Sequence, residues 1–408
     1  MKCEWTKTTA SNFCTKVTDG THDSPKAQSQ GRKLITSKHL KGHYIDFENA
    51  YWISDTDYQK IIERSKVEQW DILYSMIGTI GSTYIETNNT VEYACKNMGI
   101  FKFGGNKQKA LWMFYYLKSP MVTKYIHANL RGSTQSYVPL VALRDLPIFV
   151  PSEEERDKIV SILRLLDDKI AVNQQINDNL QQQVAAIYKS WYQDFDTANK
   201  AELIETEYGM IPQGWHYALL GDLCQSVSVT HRFDKEELVF LNTGDVENGR
   251  FLHSKLMAVK DMPGQAKKSI APGDILYSEI RPVNRHFAFV SFPSADYVVS
   301  TKLMVIRAKS IDARRLYHYL TSEDVLSELQ LQAESRSGTF PQIRFDNVSR
   351  LPILIADEQT ECAFVEILHT VYEQIEQINC ENEKLAELRD TLLPRLMSGE
   401  IDVAAVQD

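Results

Sequence analysis

Two long stretches of the chain carry apolar residues at helical spacing, and the rest breaks into short alternating or β-branched runs. In the first stretch Leu163, Leu166, Ile170, Asn173, Asn177, Leu180, Val184, Ile187 and Trp191 advance in steps of three and four. That is the heptad pattern of a coiled-coil seam. In the second, Phe364, Leu368, Val371, Ile375, Ile378, Asn382, Leu385, Leu388 and Leu392 do the same. Ser152 and Asp357 are suited to cap the two helices, with acids in each first turn where the helix dipole favours them. Residues 152–196 predict a rod of about 68 Å at 1.5 Å per residue. Pro394 is expected to end or kink the second helix.

The two stretches are copies. Leu146-Pro147-Ile148 recurs as Leu351-Pro352-Ile353, an offset of 205. Asp71-Ile72-Leu73-Tyr74-Ser75 recurs as Asp274-Ile275-Leu276-Tyr277-Ser278, an offset of 203. Each LPI element is followed by an acidic helix start. The chain therefore reads as a tandem duplication of a globular region followed by a helix.

The globular regions are broken by turn signals such as Asp19-Gly20, Asn248-Gly249 and Pro272-Gly273. They predict mixed domains rich in strands, with short helices at 107–119 and 312–332. The fold class is α+β: a first domain over 1–150, spacer helix and linker over 151–206, a second domain over 207–355, and the second spacer helix with its tail over 356–408. Residues 197–207 read as a solvated linker. Each rod needs a partner for its apolar stripe, and the nearest is the other copy. Connectivity through a compact second domain makes the helices an antiparallel coiled coil, in a dumbbell with approximate two-fold symmetry. Asn177 and Asn382, on the seam at offset 205, are suited to set its register.

The chain of 408 residues has a net charge of −9, but the charge is unevenly placed. Region 1–151 is +6, 152–196 is −4, 197–207 is −2, 208–356 is +1 and 357–408 is −10. Acid sits on the rods, and the globular ends are basic or neutral. That suits nucleic-acid contact modules on an acidic spacer, and also suits helices that are merely soluble. Basic and hydrogen-bonding residues gather in turn-like segments able to reach phosphates or base edges. In the first domain these give Thr21, His22, Lys26, Arg32, Lys33, the pair Lys38-His39, Lys107, Lys109, Arg131, Ser133, Thr134 and Gln135. In the second they give Arg232, Lys267, Lys268, Arg281, Arg285, Arg336 and Thr339. Arg131–Ser136 and Arg336–Thr339 stand out because each precedes an LPI element.

Catalytic signatures are missing from the sequence. It has no GxxxxGK[ST] loop, no GxGxxG after a strand, no HExxH, no GxSxG and no Asn-Pro-Pro-aromatic segment. His39 and His43 are split by Gly42 and lack a third ligand, and acid pairs such as Asp167-Asp168 sit on a spacer helix. Six scattered cysteines without a CxxC pair read as free thiols in a reducing cytoplasm. No apolar run nears the ~18 residues of a membrane span, and the N-terminus lacks the apolar core of a secretion signal.

On these strings the chain resembles a specificity subunit of a type I restriction-modification system. The resemblance rests on Asp19-Gly20-Thr21-His22 with Pro25-Lys26, and on Asp71–Ser75 with Ile77-Gly78-Thr79-Ile80-Gly81. It also rests on Arg131-Gly132-Ser133-Thr134-Gln135 ahead of the first LPI, on Ile211-Pro212-Gln213-Gly214-Trp215, and on Leu392–Ile401. The resemblance implies two target-recognition domains, each reading one half of a bipartite double-stranded DNA site. It implies two helices that hold two modification subunits using S-adenosylmethionine. Restriction (translocase) subunits using ATP and magnesium would join them. The specificity subunit itself would carry no catalytic residue, cofactor or metal.

The copies diverge at Met76–Gly81 against Glu279–Asn284, and the Asp19–His22 segment has no clear counterpart in the second copy. Unlike half-sites, and so an asymmetric target, are expected. Two readers on a rigid spacer would address successive major grooves, about 34 Å apart, with spacer length setting the unread gap. The competing reading is a non-catalytic interaction scaffold whose end domains bind proteins. An enzyme with a degenerate site, such as a nuclease, is a third.

Overall fold

The computed structural model describes residues 5–42, 44–198, 202–336 and 340–403. Their contacts divide the chain into two units, one of 1–175 with 379–408 and one of 176–378. The division falls within the two long helices, so each helix contributes a segment to each unit.

The first unit contains strands β1 (Thr6–Thr9), β2 (Lys16–Asp19), β3 (Arg32–Ile35), β4 (Trp52–Ile53), β5 (Ile72–Ser75), β6 (Thr83–Ile85), β7 (Tyr93–Cys95), β8 (Met98–Lys102) and β9 (Pro147–Val150). Its helices are α1 (Ala10–Phe13), α2 (Asp55–Ser65), α3 (Lys107–Leu117), α4 (Pro120–Ala128) and α5 (Leu140–Arg144), followed by the start of α6 (Glu153–Tyr188). Sheet order is β2-β8-β5-β6, all antiparallel, beside a second sheet β4-β3-β7 in which β3 and β7 are parallel. Strand β5 is buried on both faces, which is why Ile-Leu-Tyr-Ser lacks polar alternation. Ile72 and Tyr74 pack toward α3, while Leu73 packs toward the second sheet, the period-two alternation of a strand. Ile159, Val160 and Leu163 of α6 close the α3 side, joined by Leu393, Leu396 and Met397 of the last helix.

The second unit repeats this plan after a hairpin of β10 (Leu203–Thr206) and β11 (Gly209–Pro212). It contains β12 (His216–Leu219), α7 (Leu220–Leu223), β13 (Cys224–Val227), β14 (Glu237–Leu241), β15 (Val246–Glu247), β16 (Arg250–Phe251), β17 (Leu256–Ala258), β18 (Ala266–Ser269), β19 (Ile275–Ser278), β20 (Phe287–Phe289), β21 (Tyr297–Ser300) and β22 (Leu303–Ala308). Then come α8 (Ala313–Leu320), α9 (Glu323–Arg336), α10 (Phe345–Ser349), β23 (Pro352–Ile355) and α11 (Glu358–Met397). The sheets are β13-β22-β19-β20 and β17-β14-β21-β18, with β14 and β21 parallel. Ile275 and Tyr277 face α8 and α9, and Leu276 faces the other sheet.

The repeated Asp is part of this framework. Asp71 accepts from Glu68 N at 2.8 Å and pairs with Lys102 of β8 at 2.5 Å. Asp274 accepts from Ala271 N at 2.7 Å and pairs with Arg307 of β22. Each acid caps the turn before the central strand and ties that strand to its neighbour, so its burial is compensated. The repeated Ser donates to the carbonyl two residues on, Ser75 to Ile77 at 3.0 Å and Ser278 to Ile280 at 3.2 Å.

Both spacer helices start as expected. Ser152 Oγ accepts from Glu155 N at 3.2 Å, and Asp357 Oδ1 from Thr360 N at 3.0 Å. Trp5 Nε1 donates to Glu155 and Trp215 Nε1 to Asp357, so each helix start is clasped by the tryptophan preceding its module. Inside each unit the helix segments are antiparallel. In the first unit Arg389 pairs with Asp167 at 2.8 Å, and Asn173 Nδ2 donates to Asn382 Oδ1 at 2.8 Å. In the second, Val184 and Tyr188 pack against Phe364 and Leu368. Ile170, Asn173, Asn177, Val184, Leu368 and Ile375 are buried; Leu166, Leu180, Ile187, Val371, Ile378, Asn382 and Leu385 are half-buried.

Three expectations are corrected. Leu388 is off the seam, 47% exposed; Arg389 takes the inward place because Asp167 gives its charge a partner. Pro394 does not end α11, which runs to Met397. The proline removes only the bond to the carbonyl of exposed Asp390, and burial of Leu393, Leu396 and Met397 holds the last turn. Residues 203–206 are a hairpin strand rather than a solvated linker, because Leu203 and Ile204 pair with Pro212 and Ile211.

Candidate nucleic-acid interface

In the first unit β3 and β7 run parallel, so both end on the same side of their sheet, and Lys96 N continues the ladder by donating to Ile35 O. The end of β2 joins them, since Thr21 N donates to Cys95 O and Asn97 N to Thr21 O. Ser75 at the end of β5 lies opposite Met98 at the start of β8. The turn after β5 is bridged to the 131–137 hairpin through Ile77 and Tyr137, and Val138 N donates to Met76 O at 2.9 Å. Five connecting segments therefore converge at one sheet end: 20–24, 36–46, 76–82, 96–97 and 131–137.

This end holds part of what the sequence singled out. His22 is exposed, its ring nitrogens within 3.0 Å of Asn97 Oδ1 and 2.9 Å of Asp19 Oδ2. Arg131, Ser133, Thr134 and Gln135 form an exposed run, and Lys26 is exposed on the loop that follows His22. Thr21 is 7% exposed and its hydroxyl accepts from Asp23 N. Lys107 and Lys109 open α3 beyond the far end of β8, over the rings of Trp70 and Phe13. Arg32 starts β3, away from the loops, and pairs with Asp55 and Glu92. Lys33 donates to Ala50 O at 2.7 Å and lies over Trp52. These four side chains are engaged with framework partners, and linear sequence could not tell one sheet end from the other.

In the second unit the corresponding end gathers 228–232, 242–248, 265–268, 279–286 and 341–343. Thr230 pairs with Lys268, Ile280 with Gln342, and Arg281 N donates to Pro341 O. Arg232, Lys267 and Arg281 are exposed there. Arg285 forms a two-pronged pair with Glu323, 2.7 and 2.6 Å. Arg281 and Arg285 both take left-handed backbone, φ 44° and 53°, strain that loops retain where surrounding structure over-determines it. The ammonium of half-buried Lys268 donates to Thr301 O and Leu303 O, and burial holds its pKa below the ordinary lysine value. Arg336 ends α9, and Thr339 lies outside the described residues, as does His43.

The second copy does have a counterpart to Thr21-His22. Thr18 faces Ile100 across β2 and β8, as Val227 faces Val305 across β13 and β22, which aligns Thr21-His22 with Thr230-His231. Gly20 is needed in the first copy because a Cβ there would meet Cys95 O at 2.2 Å. Val229 fills that place in the second, and the chain runs along β18 instead. The sequence alone also missed Lys41, Tyr44, Lys96 and Asn97; alternation of Lys and aromatic residues over 38–47 was the available signal. Among the described residues there is no cluster of three metal-ligating side chains, and no helix is long and apolar enough to cross a membrane.

Two sheet-and-helix modules of one plan, each with basic and polar loops gathered at one sheet end and followed by a long helix, define a duplicated recognition protein. The family model described as "Type I restriction modification DNA specificity domain" matches residues 25–182 and 212–387. The type I restriction enzyme HindI specificity subunit of Haemophilus influenzae is 45% identical over 181 residues, 42% of this chain and 39% of that protein. The MjaIX specificity subunit of Methanocaldococcus jannaschii is 22% identical over 72% of this chain and 69% of its own. The EcoDI specificity subunit of Escherichia coli is 23% identical over 72% and 70%. The crystal structure of the type I S subunit from M. genitalium superposes with a TM-score of 0.53 at 14% identity, covering 97% of this chain and 96% of that one, and supports the fold. The chain belongs to the type I restriction-modification DNA-specificity family.

Proposed function

We propose that this chain reads an asymmetric bipartite site on double-stranded DNA, one half-site per module, for a type I restriction-modification complex. The observation that carries the reading is the contrast between framework and loops. The buried Asp, Ser and strand residues are shared by both modules, while the loop-end residues differ: Met76-Ile77-Gly78-Thr79 in one, Glu279-Ile280-Arg281-Pro282 in the other. A shared scaffold with divergent loops suits two readers of unlike sequences. The long helices would hold two modification subunits, which use S-adenosylmethionine to methylate adenine. Restriction (translocase) subunits using ATP and magnesium would complete the assembly, in the cytoplasm. This chain would supply recognition and positioning and no catalytic group.

The test is co-expression with the neighbouring methyltransferase, followed by mapping of methylated adenines in the host genome. An asymmetric two-part motif that requires this chain supports the reading. Assembly of a soluble complex without a new motif would move weight to the scaffold alternative, in which the end domains bind proteins. That alternative also predicts little salt dependence of DNA binding, whereas phosphate contacts predict a steep one.

A further inference from the structure

The loop after β3 in the first unit folds as a finger. His39 is buried and its Nδ1 accepts from Thr36 N at 3.0 Å. Burial, and then the charge of Lys38, hold its pKa below the ordinary histidine value, so it supports the loop as a neutral acceptor. Leu40 and Ile45 are buried and bridged to each other. Asp46 N donates to His39 O at 2.8 Å and Lys41 N to Tyr44 O at 3.0 Å, which closes the tip.

With its apolar residues turned inward, the finger presents Lys38, Lys41 and Tyr44 outward. Tyr44 is 60% exposed. Neither lysine makes an ion pair among the described residues, unlike Arg32, Arg64 and Lys102 of the same unit. The base of the finger abuts the β5–β6 turn, since a Cβ on Gly78 would lie 3.3 Å from Ser37 Oγ. That turn is itself bridged to the 131–137 hairpin. The finger is therefore part of the loop end. The corresponding β14–β17 connection of the second unit, 242–255, carries Asp245 and Glu247 beside the exposed Arg250 and Lys255, and has no tyrosine.

We propose that Lys38, Lys41 and Tyr44 form a DNA-contact finger of the first module. The two lysines neutralise backbone phosphates, and the tyrosine ring enters the groove against one base pair of the first half-site. The inference rests on the DNA-reading function proposed above and adds which loop of the first module makes the contacts. Lysines without an ion pair, on a loop tied back by two backbone hydrogen bonds, suit phosphates, and an exposed aromatic beside them has a base edge or thymine methyl to cover.

The test uses the complex with its modification subunits and a duplex carrying the mapped motif. Affinity is measured across a salt series for the unaltered complex, for Lys38→Ala with Lys41→Ala, and for Tyr44→Ala. Loss of two phosphate contacts should make the log–log salt slope shallower by about 1.8. Tyr44→Ala should leave the slope unchanged and relax base preference at one position of the first half-site, lowering affinity about tenfold. An unchanged slope in the double variant, or an unchanged motif and affinity in Tyr44→Ala, would overturn the finger. If the unaltered complex shows neither motif nor salt dependence, the DNA reading fails first. All three side chains point outward, and comigration of the variants with modification subunits checks assembly.

Discussion

Arg307 donates two hydrogen bonds to the carboxylate of Asp274, 2.6 and 2.8 Å long, where Lys102 stands beside Asp71 in the first module. Asp274 is fully buried and also caps Ala271 N. Removing the acid strands both donors at the start of the central strand. Asp274→Ala should destabilise the second module by about 3 kcal/mol. Amide hydrogen exchange over Ile275–Ser278 should accelerate, while exchange over Ile72–Ser75 stays as it was. Uniform protection in both strands would refute the role given to the pair.

The seam makes a second prediction. Asn173 Nδ2 donates to both Asn382 Oδ1 and Glu381, and its contact with Glu381 helps hold that carboxyl below the ordinary glutamate range. Asn173→Leu leaves Asn382 without this donor in a half-buried place and should cost about 1 kcal/mol. Asn173→Leu combined with Asn382→Leu should recover that loss, because a polar seam residue is kept at a cost in stability. Thermal melts of the two variants side by side decide this.

A third concerns pH. His318 on α8 packs against the rings of Tyr188 and Phe364, and burial, then the charge of Arg315, depress its pKa to about 3. In the unfolded chain it titrates near the ordinary value of about 6.5. Below that value the unfolded form binds a proton that the folded form refuses. Stability should fall as pH drops, by about 1.4 kcal/mol per unit at most, until pH approaches 3. Denaturant titrations from pH 7 to 4 should show a steeper loss for the native chain than for His318→Gln. Parallel curves would remove the histidine from the account.

Spacer length is the fourth. Two helical turns inserted into α6, with a matching insertion in α11, add about 10.5 Å. If the helices measure the gap between half-sites, the unread stretch should grow by about three base pairs. Methylation mapping reads the gap directly, and an unaltered spacing would refute the ruler.

The duplication, the antiparallel helix segments and most of the seam were legible, because heptad steps and repeated strings are local patterns. Leu388 was misplaced since a heptad cannot show that Asp167 offers Arg389 a partner across the seam. The Asp-Ile-Leu-Tyr-Ser match was visible, but its cause was not; a buried acid needs its turn and its base from other strands before it makes sense. The candidate contacts were legible as residue types and only half legible as places. Lys107 and His22 look alike in a sequence, yet the sheet sends one to each end. Gly20 and Val229 show the same limit: one Cβ against a carbonyl reroutes the chain and hides the alignment of Thr21-His22 with Thr230-His231.

Each module is hung from a ribbon of two strands. Thr9 faces Pro147 in β1–β9, and Leu219 faces Pro352 in β12–β23. The chain thus enters and leaves a module at adjacent points, and residues 10–146 or 220–351 form a closed excursion from the scaffold. Adjacent ends let a whole unit be grafted without rerouting the rest. Recombination at these two points would exchange one reader and leave its helix, its clasping tryptophan and the other reader untouched. A new specificity is therefore within reach of a single genetic event rather than a gradual walk through base contacts.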